Sequence, residues 1–286
     1  MLDLRNSLTV LWDDNSSFID MTNDMLDFGR DPVDFEFVSL EDKLYVGNEK
    51  PIDKFFAQML TANTNANTLT LKYYNGTSFV SVSGFLDDSR GFTRSGFVSW
   101  TRPTTDNETL EVQTTINGSE QYWYEITTSA DHSAGSKIQA LNLVFSDDQD
   151  IKREIPELIT KTGNFPSGET SHILQHVSSR DEIIQEINRW EVRKRKDNET
   201  FSNNITAWDL LDSAQVRLAS TYLTISKIYF NLTDATDSTE KEKSQAYYLK
   251  YKQALDLFIV EIDINDNGQR DTSDVQSFGR THYLER

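Results

Sequence analysis

Cysteine is absent from this chain, and glycine, proline and positive charge are all scarce. Its 286 residues include 12 Gly and 5 Pro, and 28 basic residues stand against 46 acidic ones. Without cysteine there is no disulfide and no thiolate-held zinc. Cysteine usage therefore does not indicate whether the protein works in an oxidising or a reducing compartment. No apolar run approaches the roughly 18 residues of a membrane span. The N-terminal stretch has one Arg and a short apolar patch broken by Asp13 and Asp14, so we expect no signal peptide. The net charge of −18 argues against a protein that wraps a phosphate backbone, which needs a basic face.

The composition of the first half predicts strands. LTLKYYNGTSFVSVSG contains two runs of alternating polarity around Asn75-Gly76, the dipeptide that best fits a tight hairpin turn. SGFVSW, YWYEITTS and KIQALNLVF predict further strands, and Asn117-Gly118 predicts another turn. Short strands at this spacing, with no helical period between them, predict an antiparallel β-sandwich over residues 33–147.

The second half predicts helices, because glycine nearly disappears and apolar residues recur every three or four positions. We expect Asp147 or Asp148 to cap the first helix. Capping boxes are predicted at Ser179 with Glu182, Thr206 with Asp209, and Thr239 with Glu242. The last two boxes would open long helices with apolar faces formed by Leu211, Ala214, Leu218, Tyr222, Ile225 and Tyr229, and by Tyr247, Tyr251, Leu255, Phe258 and Ile262.

The predicted fold class is therefore α+β with more than one domain: an N-terminal antiparallel β-sandwich followed by a mostly α-helical domain. The divisions are residues 1–32, of uncertain structure, 33–147 for the sandwich, 148–274 for the helical domain and 275–286 for a C-terminal segment.

DINDNGQRDTSD, residues 263–274, has the spacing of a calcium-binding loop. Positions one, three, five, seven, nine and twelve are Asp263, Asn265, Asn267, Gln269, Asp271 and Asp274. Ca²⁺ prefers oxygen ligands, Gly268 permits the sharp turn at position six, and a helix ending near Ile262 would lead into the loop. Asp274 is shorter than the bidentate Glu usual at position twelve. The pattern allows one structural Ca²⁺, and the alternative is a metal-free Asx-rich turn.

Two further clusters of residues allow two interpretations, a binding site or a purely structural role. His172 and His176 are four residues apart, as zinc ligands on a helix can be, but no HExxH pattern accompanies them. We interpret them as a satisfied or exposed pair. A basic run comprises Arg193, Lys194, Arg195 and Lys196. We interpret it as a solvated helix end, and the alternative is a contact with an acidic partner subunit or passing DNA.

Catalysis has little support in the residues. There is no GxSxG elbow, no glycine-rich phosphate loop and no cysteine nucleophile, so we predict that the protein is not an enzyme. A glycan hydrolase with paired carboxylates stays open in so acidic a chain. Aromatic residues of the sandwich could line a glycan-binding face, although alternation predicts that about half are core; they are Tyr73, Tyr74, Phe79, Trp100, Tyr122, Trp123 and Tyr124.

Two groups of motifs resemble virion proteins of tailed bacteriophages. GFTRSGFVSWTRP followed by NGSEQYWYEITTSAD resembles their β-sandwich modules. WDLLDSAQVRLASTYLTISKIYFNLTD, then EKEKSQAYYLKYKQALDLFIVEIDINDNGQRD, resembles their head–tail adaptor (connector) proteins, in which a Trp-led helix pair ends in an acidic Asn/Asp/Gly loop and a short basic tail. The resemblance covers roughly residues 33–286, and the helical half is the more specific part.

The resemblance implies a structural virion protein in the neck, between capsid and tail. Family members form a ring, usually of twelve copies, beneath the portal protein, and the helical domain lines a channel through which DNA passes without sequence-specific binding. We expect no membrane partner. The C-terminal segment would be an arm that docks on the portal, anchored by Arg280, Tyr283, Leu284 and Arg286, and the loop at 263–274 would be its joint. The alternative is a glycan-binding tail or appendage protein that acts through the sandwich.

Overall fold

The computed structural model describes residues 8–26, 33–39, 41–105, 108–160, 164–165, 171–194, 205–210, 214–233, 238–257, 259–261 and 275–277. Within them the chain divides between Leu143 and Val144 into two compact units, the first rich in strands and the second mostly helical. This order confirms the predicted α+β fold class. No helix among the described residues is long and apolar enough to cross a bilayer.

The elements of the first unit, in chain order, are β1 (Thr9–Asp14), β2 (Ser17–Asp20), α1 (Thr22–Leu26), β3 (Val33–Asp34), β4 (Lys43–Asn48), β5 (Lys54–Thr61), β6 (Leu69–Tyr74), β7 (Phe79–Ser81), β8 (Ser83–Asp87), β9 (Gly96–Thr101), β10 (Thr104–Thr105), β11 (Glu108–Thr109), β12 (Thr114–Ile116), β13 (Ser119–Thr128) and β14 (Lys137–Asn142). The strands form two large antiparallel sheets and a small two-stranded one, β10-β11. One large sheet runs β2-β1-β4-β13-β6-β7, with β12 paired to β13, and the other runs β3-β14-β5-β9-β8.

The two sheets share one apolar core. Trp100 of β9 and Tyr124 of β13 come from different sheets, and their ring centroids are 4.8 Å apart. On the opposite side of β13, Trp123 packs with Leu11 and Tyr45 in a second buried cluster. Both sides of this central strand are therefore buried, which explains why its sequence does not alternate cleanly.

The sequence predicts no definite structure for residues 1–32, yet part of this segment is integral to the first sheet. β1 lies between β2 and β4, with Val10 opposite Val46 and Leu11 opposite Tyr45. Asn15 and Ser16 turn the chain back with positive φ values of 47° and 75°. Such a turn without glycine gives little sequence signal, because non-glycine residues rarely adopt this conformation.

Both Asn-Gly turns are confirmed. Gly76 has φ +92° in the loop that joins β6 to β7, and the Asn75 side chain accepts amide hydrogen bonds from the two residues that precede Phe79. Asn117 and Gly118, with φ values of 48° and 80°, form the two-residue turn between β12 and β13. Positive φ at both central positions matches the twist of antiparallel strands.

The second unit centres on one helix that is surrounded by others. Its elements are α2 (Asp148–Glu154), α3 (Pro156–Thr160), α4 (Ile173–Lys194), a 3₁₀ turn (Ala207–Asp209), α5 (Ala214–Leu232), α6 (Ser238–Asp256), β15 (Ile259–Glu261) and β16 (Val275–Ser277). Hydroxyl groups bind α5 to its neighbours: Thr224 donates to the Ser179 hydroxyl of α4, and Ser226 donates to the Ser244 carbonyl of α6. On another side, Ile225 packs into a cluster with α2 and α3.

The predicted helix starts were right at one position and wrong at others. Asp147 caps α2 in a capping box with Asp150, as expected. Ser179 lies in the middle of α4, so no helix begins there, and the segments predicted on its two sides form one helix. Its hydroxyl accepts from Thr224, a long-range contact that a local pattern cannot reveal.

The other two boxes also differ from expectation. Thr206 and Asp209 do form a capping box, but it begins a 3₁₀ turn and not a long helix. Thr239 is the second residue of α6. On the predicted face of α5, Leu218 is 49% exposed, because the neighbours of this helix are spread around it.

Candidate functional site

An apolar groove lies on the surface of the helical unit. α5 forms its floor, and α4 and α6 form its walls, because Thr224 and Ser226, about 200° apart around α5, contact these two helices. Its volume is about 490 Å³. The lining residues on which its chemistry depends are Leu174, Ser178, Leu223, Ser226, Phe230 and Tyr248.

Two sets of polar groups in the groove bind each other. Lys227 Nζ donates to Ser178 Oγ at 2.9 Å and lies 2.9 Å from Glu182 Oε2. The Ser226 hydroxyl donates to the Ser244 carbonyl at 2.8 Å. A site for a small polar ligand needs polar groups that converge on the ligand. The groove instead offers mainly apolar surface to an occupant, although Gln175, whose buried Oε1 has no hydrogen-bond partner among the described residues, also lines it.

Large apolar side chains at the groove remain open to solvent. Phe230 is 70% exposed, and Leu174 and Tyr248 are 38% and 40% exposed. Single exposed apolar residues are ordinary, but an aromatic and its apolar neighbours grouped around a cleft are typical of a protein-binding surface. This groove is therefore the best candidate site among the described residues.

The predicted calcium loop lies between two strands. Its potential ligands Asp263, Asn265, Asn267, Gln269, Asp271 and Asp274 are outside the described residues. α6 ends at Asp256, and β15 then pairs antiparallel with β16, with Glu261 opposite Val275. The expected helix ending near Ile262 is thus wrong, because a strand leads into this segment. The calcium prediction itself stays a prediction.

The predicted partner-binding residues are mostly outside the described part of the chain. Arg193 and Lys194 are the last two residues of α4, which agrees with the expected position at a helix end. Arg195 and Lys196 lie beyond the described residues, as do Arg280, Tyr283, Leu284 and Arg286.

His172 and His176 are both buried and hydrogen-bonded within the unit. His176 Nε2 donates to Asp148 Oδ1 at 3.2 Å, and its Nδ1 lies 2.9 Å from Ser146 Oγ. His172 Nε2 lies 3.5 Å from the Leu158 carbonyl oxygen. In the described residues no group of three or more His, Asp or Glu side chains could hold a metal ion. The contacts support the interpretation of a satisfied residue for His176, whereas the buried Nδ1 of His172 has no hydrogen-bond partner among the described residues.

Burial sets the ionisation of this cluster. Burial lowers the pKa of His172 below its ordinary value, although Asp148 and the Leu158 carbonyl oppose the shift. Burial raises the pKa of Asp148, but the hydrogen bonds from His176 and Ser171 and the nearby charges of His176 and His172 together outweigh it, and the net shift is downward. A neutral His172 and an ionised Asp148 are therefore the forms that the fold favours near neutral pH.

Glu111 and Glu125, two buried carboxylates of the strand unit, are held by separate sets of partners. Glu111 accepts from the Tyr124 hydroxyl at 2.5 Å and from the Thr109 hydroxyl at 2.9 Å. Glu125 accepts from Tyr45 at 3.1 Å and from Lys72 at 2.8 Å. Burial raises the pKa of Glu111, whereas for Glu125 the nearby lysines outweigh burial and lower it. These contacts explain both carboxylates as parts of the fold.

The aromatic residues of the sandwich are divided as alternation predicts. Four of the seven, Tyr73, Trp100, Trp123 and Tyr124, are buried, and the others are half-buried. A glycan-binding face would have to stack on the half-buried remainder, which weakens that alternative.

No pattern in the sequence predicts the groove. Apolar residues occupy several sides of α5, a pattern typical of a helix with several neighbours, but the pattern does not show which gap between neighbours stays open. No protein-family model matches this chain, and no curated protein sequence matches it. Conclusions about function therefore depend on the residues and geometry of the chain itself.

Proposed function

We propose that this protein is a structural virion subunit, the head-to-tail adaptor that joins the portal to the tail through the neck of a tailed bacteriophage. The proposal is supported by the resemblance over residues 33–286 and by an α+β arrangement that suits it. The observation that carries it is the apolar groove of the helical unit, where Phe230 is 70% exposed. A surface of this kind is expected in a subunit whose helices contact other proteins.

In this account each part of the chain has a structural role. The helical unit forms the ring wall around the DNA channel. The acidic surplus, with a net charge of −18, repels the phosphate backbone and lets DNA slide past. Residues 275–286 are the arm that docks on the portal, with Arg280 and Arg286 as charged anchors and Tyr283 and Leu284 as apolar ones.

The direct test is co-sedimentation of the full chain with assembled portal rings of the same phage. We expect the full chain to sediment with the rings, and a variant truncated after Ser277 to stay in the supernatant. A full chain that does not bind the rings contradicts the proposal. Equal binding by both forms would retain the adaptor role and reject the role of the arm.

A further inference from the structure

The strand unit contains the same Asn-Gly pair in two different turns. Asn75-Gly76 joins β6 to β7, Asn117-Gly118 joins β12 to β13, and all four residues are exposed. Asparagine before glycine is prone to lose its side-chain amide, because glycine has no Cβ to hinder attack by its backbone nitrogen. Exposure and local sequence are therefore alike at the two sites, and hydrogen bonding distinguishes them. A third pair, Asn267-Gly268, lies outside the described residues.

The Asn75 side chain is fixed in its turn. Its Oδ1 accepts from the backbone N–H of Thr77 at 3.0 Å and from that of Ser78 at 2.9 Å. The Asn75 backbone N–H in turn donates to the Ser78 carbonyl at 3.1 Å. A Cβ on Gly76 would lie 3.4 Å from Val112, so a neighbouring side chain closes this turn from one side. The Asn75 amide carbon can approach the Gly76 nitrogen only after both bonds of its side-chain oxygen break.

The Asn117 side chain has no such restraint. Among the described residues no hydrogen bond holds it, and a Cβ on Gly118 would have no atom within 4 Å. Attack by the Gly118 nitrogen needs rotation about the Cα–C bond of Asn117, so the turn must open for a moment. β12 has three residues and pairs with β13, so this local opening costs little. β7 is equally short, so strand length does not favour either site.

We infer that Asn117 is a site of spontaneous deamidation in the folded chain, whereas its hydrogen bonds protect Asn75. The Gly118 nitrogen attacks Cγ of Asn117 and forms a C–N bond. The Cγ–Nδ2 bond breaks, and the amide group leaves as ammonia with the proton of the Gly118 N–H. Water then opens the resulting succinimide ring at either carbonyl and leaves aspartate or isoaspartate at position 117.

Isoaspartate at position 117 loosens the hairpin, because it adds one carbon atom to the backbone of a two-residue turn. Ile116 pairs with Ser119 across this turn, and the Ser119 carbonyl accepts from the Trp123 indole at 3.2 Å. Ile116 also packs against the buried cluster that contains Trp123. The longer backbone displaces Ile116 and Ser119 relative to each other, so the surroundings of Trp123 change.

Ageing of the full chain in warm, mildly alkaline buffer tests the inference, with peptide mapping by mass spectrometry at intervals. We expect Asn117 to lose its amide at least about tenfold faster than Asn75, because two hydrogen bonds restrain Asn75. In concentrated urea, where both turns are lost, the two rates should be similar. Asn117→Gly is the control, since glycine keeps the positive φ of the turn and removes the amide. Aged wild type should show a changed tryptophan fluorescence spectrum, and aged Asn117→Gly should not.

Each outcome decides the inference. Equal rates at Asn75 and Asn117 in the folded chain would overturn it, as would an Asn117 that stays intact while the urea sample reacts. A difference that persists in urea would come from the flanking sequence and would also overturn it. An unchanged fluorescence spectrum in the fully deamidated wild type would refute the loosening of the hairpin.

Discussion

Replacement of Tyr124 by Phe should destabilise the strand unit far more than its small chemical change suggests. The Tyr124 hydroxyl accepts from the Ile52 amide at 2.9 Å and donates to Glu111 Oε1 at 2.5 Å, and all these groups are buried. Phe fills the same space but leaves the Ile52 N–H without an acceptor and the Glu111 carboxylate with one donor fewer.

The expected cost is about 3 kcal/mol. A buried amide without a partner costs about 1–3 kcal/mol, and a lost hydrogen bond to a charged group costs about 1.5–3 kcal/mol. Glu111 keeps Thr109 and Arg102, so the full sum of these values is not reached.

The cost of Tyr124→Phe should also depend on pH. Burial raises the pKa of Glu111 above its ordinary value of 4.5, and the Tyr124 hydrogen bond limits that rise. A carboxyl group whose pKa is raised in the folded protein contributes stability at pH values below its ordinary pKa. This stability is lost as the pH rises through the raised pKa. The substitution raises the pKa further, so its cost is larger at neutral pH than near pH 4.5.

Tyr45→Phe is the matched control, because it removes the same hydroxyl from another strand of the same sheet. Its partner Glu125 keeps Lys72 at 2.8 Å and Lys43 at 3.2 Å. The expected cost is about 1 kcal/mol, that of one hydrogen bond with both remaining partners in place.

Urea denaturation followed by tryptophan fluorescence measures both variants, with the dependence on urea checked for constancy. Equal losses for Tyr124→Phe and Tyr45→Phe, or a Tyr124→Phe loss under about 1 kcal/mol, would refute the reasoning that buried partner groups decide the cost.

Three further predictions concern other contacts, each measured by urea denaturation. Burial lowers the pKa of His172, so the stability that its neutral form contributes is complete above the ordinary pKa of 6.5 and is lost as the pH falls through the lowered pKa. His172→Gln should therefore flatten the loss of stability at low pH, and an unchanged pH profile would contradict this. Gly47→Ala should cost about 1–3 kcal/mol, because its Cβ would lie 2.6 Å from the Trp123 ring, and wild-type stability would rule out that contact. Arg217→Met should cost about 2 kcal/mol, because Arg217 Nε lies 2.9 Å and 2.8 Å from the two carboxylate oxygens of buried Asp150. The expected cost is reduced to this value because the Arg217 side chain is partly exposed. A loss of stability within error of zero would show that Asp150 needs no such partner.

Local chemistry in the sequence predicted those features of the fold that depend on neighbouring residues. The turns at Asn75-Gly76 and Asn117-Gly118 and the cap at Asp147 are set by side chains and φ angles within a few positions. The α+β order followed from the change of apolar period along the chain.

Features that depend on distant partners were missed or misplaced. The sequence predicts that Ser179 caps a helix, but Ser179 lies within a continuous helix. Thr224, 45 residues further along the chain, binds its hydroxyl group. β1 is recognisable as a strand only through its pairing with β4, where Val10 meets Val46. The groove around Phe230 exists because α4 and α6 leave one side of α5 open, which no residue pattern on α5 alone specifies.

The central claim, that this protein occupies the neck of a virion, is tested most directly by gold-labelled antibody electron microscopy of the particles that contain it. The account predicts label clustered at the junction of head and tail. Label at the tail tip or on the fibres would contradict it, and the half-buried aromatic residues of the sandwich would then be the surface to test for glycan binding.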